Sequence, residues 1–172
     1  MKKLTLPLKK EEIFALTAGD SVSLTGTILT ARDCAHKRIF GLLDGGDKLP
    51  FDIKDAVIYY AGPCPAAPGK ASGSCGPTTS ARMESFAPRL LNLGLGGIIG
   101  KGEMNEATRE AIKTNGAVYF AAIGGAGALY GSCIKSSECI AFPDLLSEAV
   151  YKLEVEDFPV IVAYDCHGGN IY

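Results

Sequence analysis

No Cys-x-x-Cys pair occurs among the six cysteines, Cys34, Cys64, Cys75, Cys133, Cys139 and Cys166. That absence argues against a zinc ribbon or a self-contained ferredoxin-type cluster. No apolar run approaches the ~20 residues of a membrane span. Neither sign of charge dominates: 17 Lys and Arg against 19 Asp and Glu leave a net charge of −2. Nucleic acid and anionic membrane surfaces are therefore not expected partners. No secretory signal is expected either, because Met1-Lys2-Lys3 leads into Leu-Thr-Leu-Pro and then more charge. A cytoplasmic protein with reduced, mostly buried thiols is the expectation. The glycines of Gly124-Gly125-Ala126-Gly127-Ala128-Leu129-Tyr130-Gly131 do not match G-x-G-x-x-G. A tight strand-to-helix turn explains them better than a dinucleotide site.

What is abundant is glycine, 21 residues, mostly between apolar segments, as turns and close backbone approaches would require. With 47% hydrophobic and 21% charged residues in 172, one domain spanning 1–172 is expected. It is long enough to bury a real core.

The chain is organised around Gly73-Ser74-Cys75-Gly76-Pro77-Thr78-Thr79-Ser80-Ala81-Arg82-Met83. Pro77 suits a helix start, and Thr78 or Thr79 can cap the free N–H groups of a first turn. A helix beginning there would set Thr78 and Arg82 on one face, four residues apart. Backbone donors, a helix dipole, a hydroxyl and a guanidinium would then meet at one carboxylate or phosphate. The same string is also simply a good helix start with a solvated arginine.

Along the rest of the chain, residues 3–8 suit an edge strand, 9–16 a helix and 21–31 a strand rich in β-branched residues. Arg32 then stands at a strand end, with Asp33 a fair cap for a helix running through Leu43 to Gly45-Gly46. Arg32 can be a second anion-binding arginine, with His36 as a proton-transfer or hydrogen-bonding partner. A capped helix with basic residues facing solvent is the plainer alternative. Residues 56–61 form a short apolar strand, and the Pro-, Gly- and Ser-rich residues 66–76 form a long loop. The Thr78 helix carries Met83, Phe86, Leu90 and Leu91 and closes at Asn92-Leu93-Gly94. Lys101, between Gly100 and Gly102 at the end of a brief strand, can meet a bound anion or be an ordinary surface lysine.

Farther on, residues 105–114 read as an amphipathic helix and 117–121 as a strand. Residues 138–142 read as a strand, 143–148 as a short helix, and 151–155 and 160–164 as two strands joined by a turn at Asp157-Phe158-Pro159. His167 falls in a polar terminal turn. This order predicts an α/β fold, a layered domain with a mixed sheet.

Three stretches carry a resemblance: Thr30-Ala31-Arg32-Asp33-Cys34-Ala35-His36-Lys37, Tyr60-Ala61-Gly62-Pro63, and Gly76-Pro77-Thr78-Thr79-Ser80-Ala81-Arg82-Met83. Gly100-Lys101-Gly102 and Gly124-Gly125-Ala126 continue it in order. The chain resembles the β subunit of the iron–sulfur-dependent hydro-lyases, the class I fumarase and tartrate dehydratase family, whose single-chain members carry this unit as a C-terminal domain. The resemblance implies a swivelling β/β/α domain and a site completed by a cluster-bearing alpha subunit. Arg32, Arg82 and Lys101 would bind the substrate carboxylates, and Thr78 would take part in proton transfer, with His36 and Asp33 in support. The [4Fe-4S] cluster would belong to the alpha subunit and not to this chain. A C4 dicarboxylate substrate, a tricarboxylic acid cycle role and a dimer of heterodimers are implied with it. Fumarate and tartrate are not separated by these residues, and a non-catalytic anion-binding or regulatory module is the rival from another class.

Overall fold

The computed structural model describes residues 1–172. The β-branched and aromatic runs become strands: β1 (Lys2–Thr5), β2 (Ser21–Thr30), β3 (Val57–Tyr59), β4 (Gly97–Gly100), β5 (Val118–Ala121), β6 (Ile134–Ala141) and β7 (Val150–Tyr164). The helices are α1 (Lys10–Phe14), α2 (Asp33–Asp44), α3 (Ala87–Asn92), α4 (Glu106–Asn115) and α5 (Gly127–Cys133). Two 3-10 segments, Ser80–Met83 and Pro143–Glu148, complete the list. The α4 helix has clear punctuation: Asn105 accepts from the Thr108 N–H at its start, and Gly116 at φ +57° ends it. No helix is long and apolar enough to cross a membrane.

The sheet is mixed, as expected. Its strand order is β1-β2-β3-β4-β5-β7-β6, and a further β2–β7 pairing closes it on itself. β2 through β5 run parallel, while β7 is antiparallel to β2, β5 and β6. Alternation along the strands divides the apolar residues into two cores. Val57, Tyr59, Ile99 and Phe120 face the barrel interior with Phe158 and Val162 of β7. Ile58, Tyr60, Ile98 and Tyr119 face outward, beneath Ile39 of α2, Leu90 of α3 and Ile112 of α4. A one-residue slip in any strand would exchange the two sets, so the register is strongly specified.

One element differs from expectation. Residues 150–164 are a single strand, not two strands and a turn. The turn signal at Asp157 is absorbed as a bulge: Asp157 has φ +50°, and the pairing jumps between Leu24/Phe158 and Gly26/Val155. The extra residue bends the strand without ending it, which lets one strand border both β2 and β5.

Candidate functional site

Because β2 to β5 run parallel, the segments leaving their C-terminal ends share one rim, the usual place for ligands in such sheets. Arg32 leaves β2, Gly62 follows β3, Lys101 follows β4, and Gly124 follows β5. Residues 78–82 lie across these ends as a strap. Its first anchor is the Tyr60 carbonyl, which accepts both the Thr78 N–H at 2.8 Å and the Thr78 hydroxyl at 2.9 Å. Its second is β4: Thr79 bridges Lys101, the Ser80 N–H donates to the Lys101 carbonyl at 2.9 Å, and the Lys101 N–H donates to Ser80 Oγ at 2.8 Å. Its third is α2, where Arg82 Nη2 lies 3.8 Å from Asp33 Oδ2.

The strap corrects the helix expected at this point. Only one 3-10 turn forms, over Ser80–Met83, and its cap Thr79 makes no side-chain capping bond. Of the apolar residues expected to continue that helix, Met83 ends the turn, Phe86 is in the cap position of α3, and Leu90 and Leu91 lie within α3, which starts at Ala87. Thr78 and Arg82 therefore share no helical face, and no helix dipole is aimed between them. Tertiary pairing with β3 and β4 brings them to the rim instead.

Beneath the strap is a buried hydroxyl chain. Tyr119 Oη lies 2.7 Å from the Gly102 carbonyl and 2.9 Å from Ser80 Oγ. The carbonyl can only accept, so Tyr119 donates to it and Ser80 donates to Tyr119. Burial pushes the Tyr119 hydroxyl pKa upward, which keeps it a donor. The chain fixes both ends of the Lys101 peptide while the ammonium stays exposed. A Cβ at Gly124 would lie 3.1 Å from Lys101 Cδ, so glycine there lets the lysine stem lie close.

Arg32 is held more closely. Its side chain is 27% exposed, and its Nε is buried without a hydrogen-bond partner, 3.8 Å from Glu148 Oε1. A Cβ at Gly62 would sit 3.2 Å from Arg32 Cδ and 3.3 Å from its Nη1. The tightest neighbour of that position is the Ser147 carbonyl oxygen at 2.7 Å, a backbone approach that calls for glycine, and the Arg32 stem lies in the space beside it.

The expected helper residues take particular places. Asp33 is the first residue of α2 and does not cap it; Arg32 is in the cap position and makes no side-chain capping bond. An acidic residue in a first turn still suits the helix dipole, and its carboxylate pairs with Arg82. His36 is fully buried, its ring 5.5 Å from Tyr60 and 5.3 Å from Phe86. Its Nδ1 lies 2.8 Å from the Arg32 carbonyl and must donate to it. Burial lowers its pKa to about 4, so the ring is neutral and supports the Arg32 backbone. At this depth it packs beneath the Arg32 backbone, away from the solvent-facing side of the rim.

The six cysteines are free thiols scattered through the fold, and no three His, Cys, Asp or Glu side chains converge as a metal site. The residues of this chain do not fit an iron–sulfur cluster. Sequence reading missed Glu148, which stands in no motif, and it quoted Gly62 in the Tyr60–Pro63 string without its contact to Arg32. Tyr119 and Ser80 also escaped, reading only as parts of an apolar strand and a helix turn.

With this rim in view, the sequence comparisons become decisive. The Fumarase C-terminus family profile matches residues 2–172. The chain belongs to that family. It is 40% identical over 165 residues to "Fumarate hydratase 2" of Leishmania major, covering 95% of this chain and 29% of that protein. It is 43% identical over 153 residues to "Fumarate hydratase class I, aerobic" of Escherichia coli K12, covering 88% of this chain and 28% of that protein. It is 42% identical over 171 residues to "Putative L(+)-tartrate dehydratase subunit beta" of Methanocaldococcus jannaschii, covering 96% and 88% respectively. The chain thus spans less than a third of the fumarate hydratases it matches, and nearly all of the tartrate dehydratase subunit. The matched unit is nearly all of a subunit in one relative and a fraction of a longer chain in others.

Proposed function

We propose that this chain is the β subunit of a hydro-lyase that reversibly hydrates fumarate to malate, and that it supplies the cationic grip for the diacid. The observation that carries the reading is the gathering of Arg32, Arg82, Lys101 and Thr78 on one rim, through the Tyr60, Thr79–Lys101 and Asp33 contacts of the strap. Each guanidinium can take one carboxylate with two parallel charge-assisted hydrogen bonds, about 1.5–3 kcal/mol for such a contact. Lys101, on a fixed peptide with a free ammonium, adds a point charge for the carboxylate that gains electron density during proton removal.

Thr78 stands beside this grip as the proton-transfer residue of the reading. Its hydroxyl hydrogen is donated to a backbone carbonyl, and no general base of this chain is hydrogen-bonded to it. Activation would therefore depend on cationic neighbours and on closure of the site by the alpha subunit. That subunit would also carry the [4Fe-4S] cluster, for which this chain has no ligand set. The assembly would be a cytoplasmic heteromer, a dimer of heterodimers.

The whole-length match to the tartrate dehydratase subunit supports a second reading, in which the diacid is L-tartrate and water is eliminated from it. One experiment tests both. Co-expression with a three-cysteine alpha subunit under anaerobic conditions is expected to yield malate or tartrate turnover that neither chain shows alone. Carboxylate binding by the isolated chain, with no turnover in the assembled pair, would favour a regulatory module and defeat the proposal.

A further inference from the structure

Arg32 has one charged edge that no hydrogen bond satisfies. Its Nε is buried, and Glu148 Oε1, 3.8 Å away, is the carboxylate oxygen paired with it. Glu148 ends the 3-10 segment Pro143–Glu148, and two residues near it hold backbone conformations unusual for side chains with a Cβ. Phe142 has φ +55°, and Leu146 has φ +54° with ψ −120°. Strain of this kind persists where the surrounding structure imposes it, and it concentrates at functional positions. Here the next residue, Ser147, puts its carbonyl oxygen 2.7 Å from where a Gly62 Cβ would be. The strained segment is thus pressed against the same glycine on which the Arg32 stem rests. Glu148 also sits beside the Cys34 thiol and raises its pKa, so Cys34 stays a neutral neighbour and does not compete for the guanidinium.

A planar guanidinium has a limited set of edges. We propose that Glu148 is the positioning residue of Arg32: it holds the Nε side and leaves the paired Nη groups to the incoming carboxylate. This deepens the functional reading above and rests on it. Without Glu148, Arg32 keeps its charge and can still meet a substrate carboxylate but loses the restraint on its orientation, so the loss should fall on substrate binding more than on turnover.

The test uses the chain assembled with its cluster-bearing alpha subunit and whichever of L-malate or L-tartrate the assembly turns over. Glu148→Ala is expected to raise KM about tenfold while kcat changes less than threefold, because a misaligned carboxylate contact is weakened but not removed. Glu148→Gln, which keeps the shape but not the charge of this 3.8 Å ion pair, is expected to recover only part of that loss. In the Arg32→Ala background, Glu148→Ala should add nothing further, since its effect runs through Arg32. A merely structural role would lower the melting temperature and active fraction of Glu148→Ala without this split. An unchanged or lowered KM in Glu148→Ala, with Arg32→Ala impaired, would overturn the positioning role and leave the functional reading intact. An unchanged KM in Arg32→Ala itself would overturn both.

Discussion

The two sides of the rim hold their arginines in different ways. On the β2–β3 side, Arg32 is 27% exposed, lies against Gly62, faces Glu148 and has its backbone carbonyl tied by a buried histidine. On the β4 side, Arg82 is 50% exposed, rides on a single 3-10 turn and has one ion pair, 3.8 Å from Asp33. An exposed pair of that length contributes little, and the median for surface pairs is about 0–1 kcal/mol. One guanidinium is therefore placed by packing before any ligand arrives. The other has only its backbone placed, and its fork is free to settle on a ligand. A grip of this kind combines a fixed reference point with an adjustable arm.

The contrast can be broken or sharpened by experiment. The largest effect is expected at the foundation of the fixed side. His36 is neutral in the fold with its pKa lowered to about 4 by burial, against an ordinary value of 6.5. The unfolded chain takes up the proton first, so the stability is whole above pH 6.5 and falls as pH drops toward 4, by up to about 3 kcal/mol. Asp20, Asp144 and Asp157, lowered by their bonds to Lys2, Arg38 and Ser23, start from 3.8 and lose their contributions only below that window. Urea unfolding at pH 7 and pH 4.5 should show this drop in the wild type and a much smaller one in His36→Phe. Equal drops in both would show that His36 is not what makes the fold acid-sensitive.

Next come the arginines themselves, each replaced by lysine so that charge stays and the fork goes. In the assembled enzyme, Arg32→Lys is expected to lower kcat/KM by about 100-fold and Arg82→Lys by about 10-fold, opposite ends of the range for a charge-assisted contact. The fixed arginine should cost more, because the ammonium cannot reproduce a geometry the surroundings were built around. A reversed order would mean that exposure, and not pre-placement, marks the more important arm. The smallest change probes the fixed side from beneath. Gly62→Ala sets a methyl against the Ser147 carbonyl and the Arg32 stem, at a cost of about 1–3 kcal/mol in overpacking. Thermal unfolding should report the destabilisation, and KM should rise with it. A KM unchanged in a destabilised protein would separate the glycine's packing role from the site.

The same two sides show how far sequence reading reaches. Arg32 was legible as a residue between a strand and a helix, because β2 and α2 are long and strongly patterned. The stretch from Pro77 to Arg82 was legible as important but not in shape. Its helix-start chemistry is real, yet the backbone pairs with Tyr60 and Lys101, and those ladder-like bonds outweigh a short helix. The long β7 strand was divided in two for a related reason: Asp157 and Pro159 carry turn chemistry, while pairing with β2 on both sides of the bulge holds the strand together. Glu148 had no local signal at all.

By itself the sequence determined the alternation that separates inner from outer core, the glycine and asparagine stops, and the family strings that name the rim residues. Those are local properties, written in neighbours a few positions apart. Only the tertiary structure decided that β7 closes the sheet, that the strap crosses three strand ends, and that Glu148 meets Arg32 across more than a hundred residues of chain. Such pairings depend on which surfaces remain unsatisfied after local structure forms, and that is a property of the whole chain.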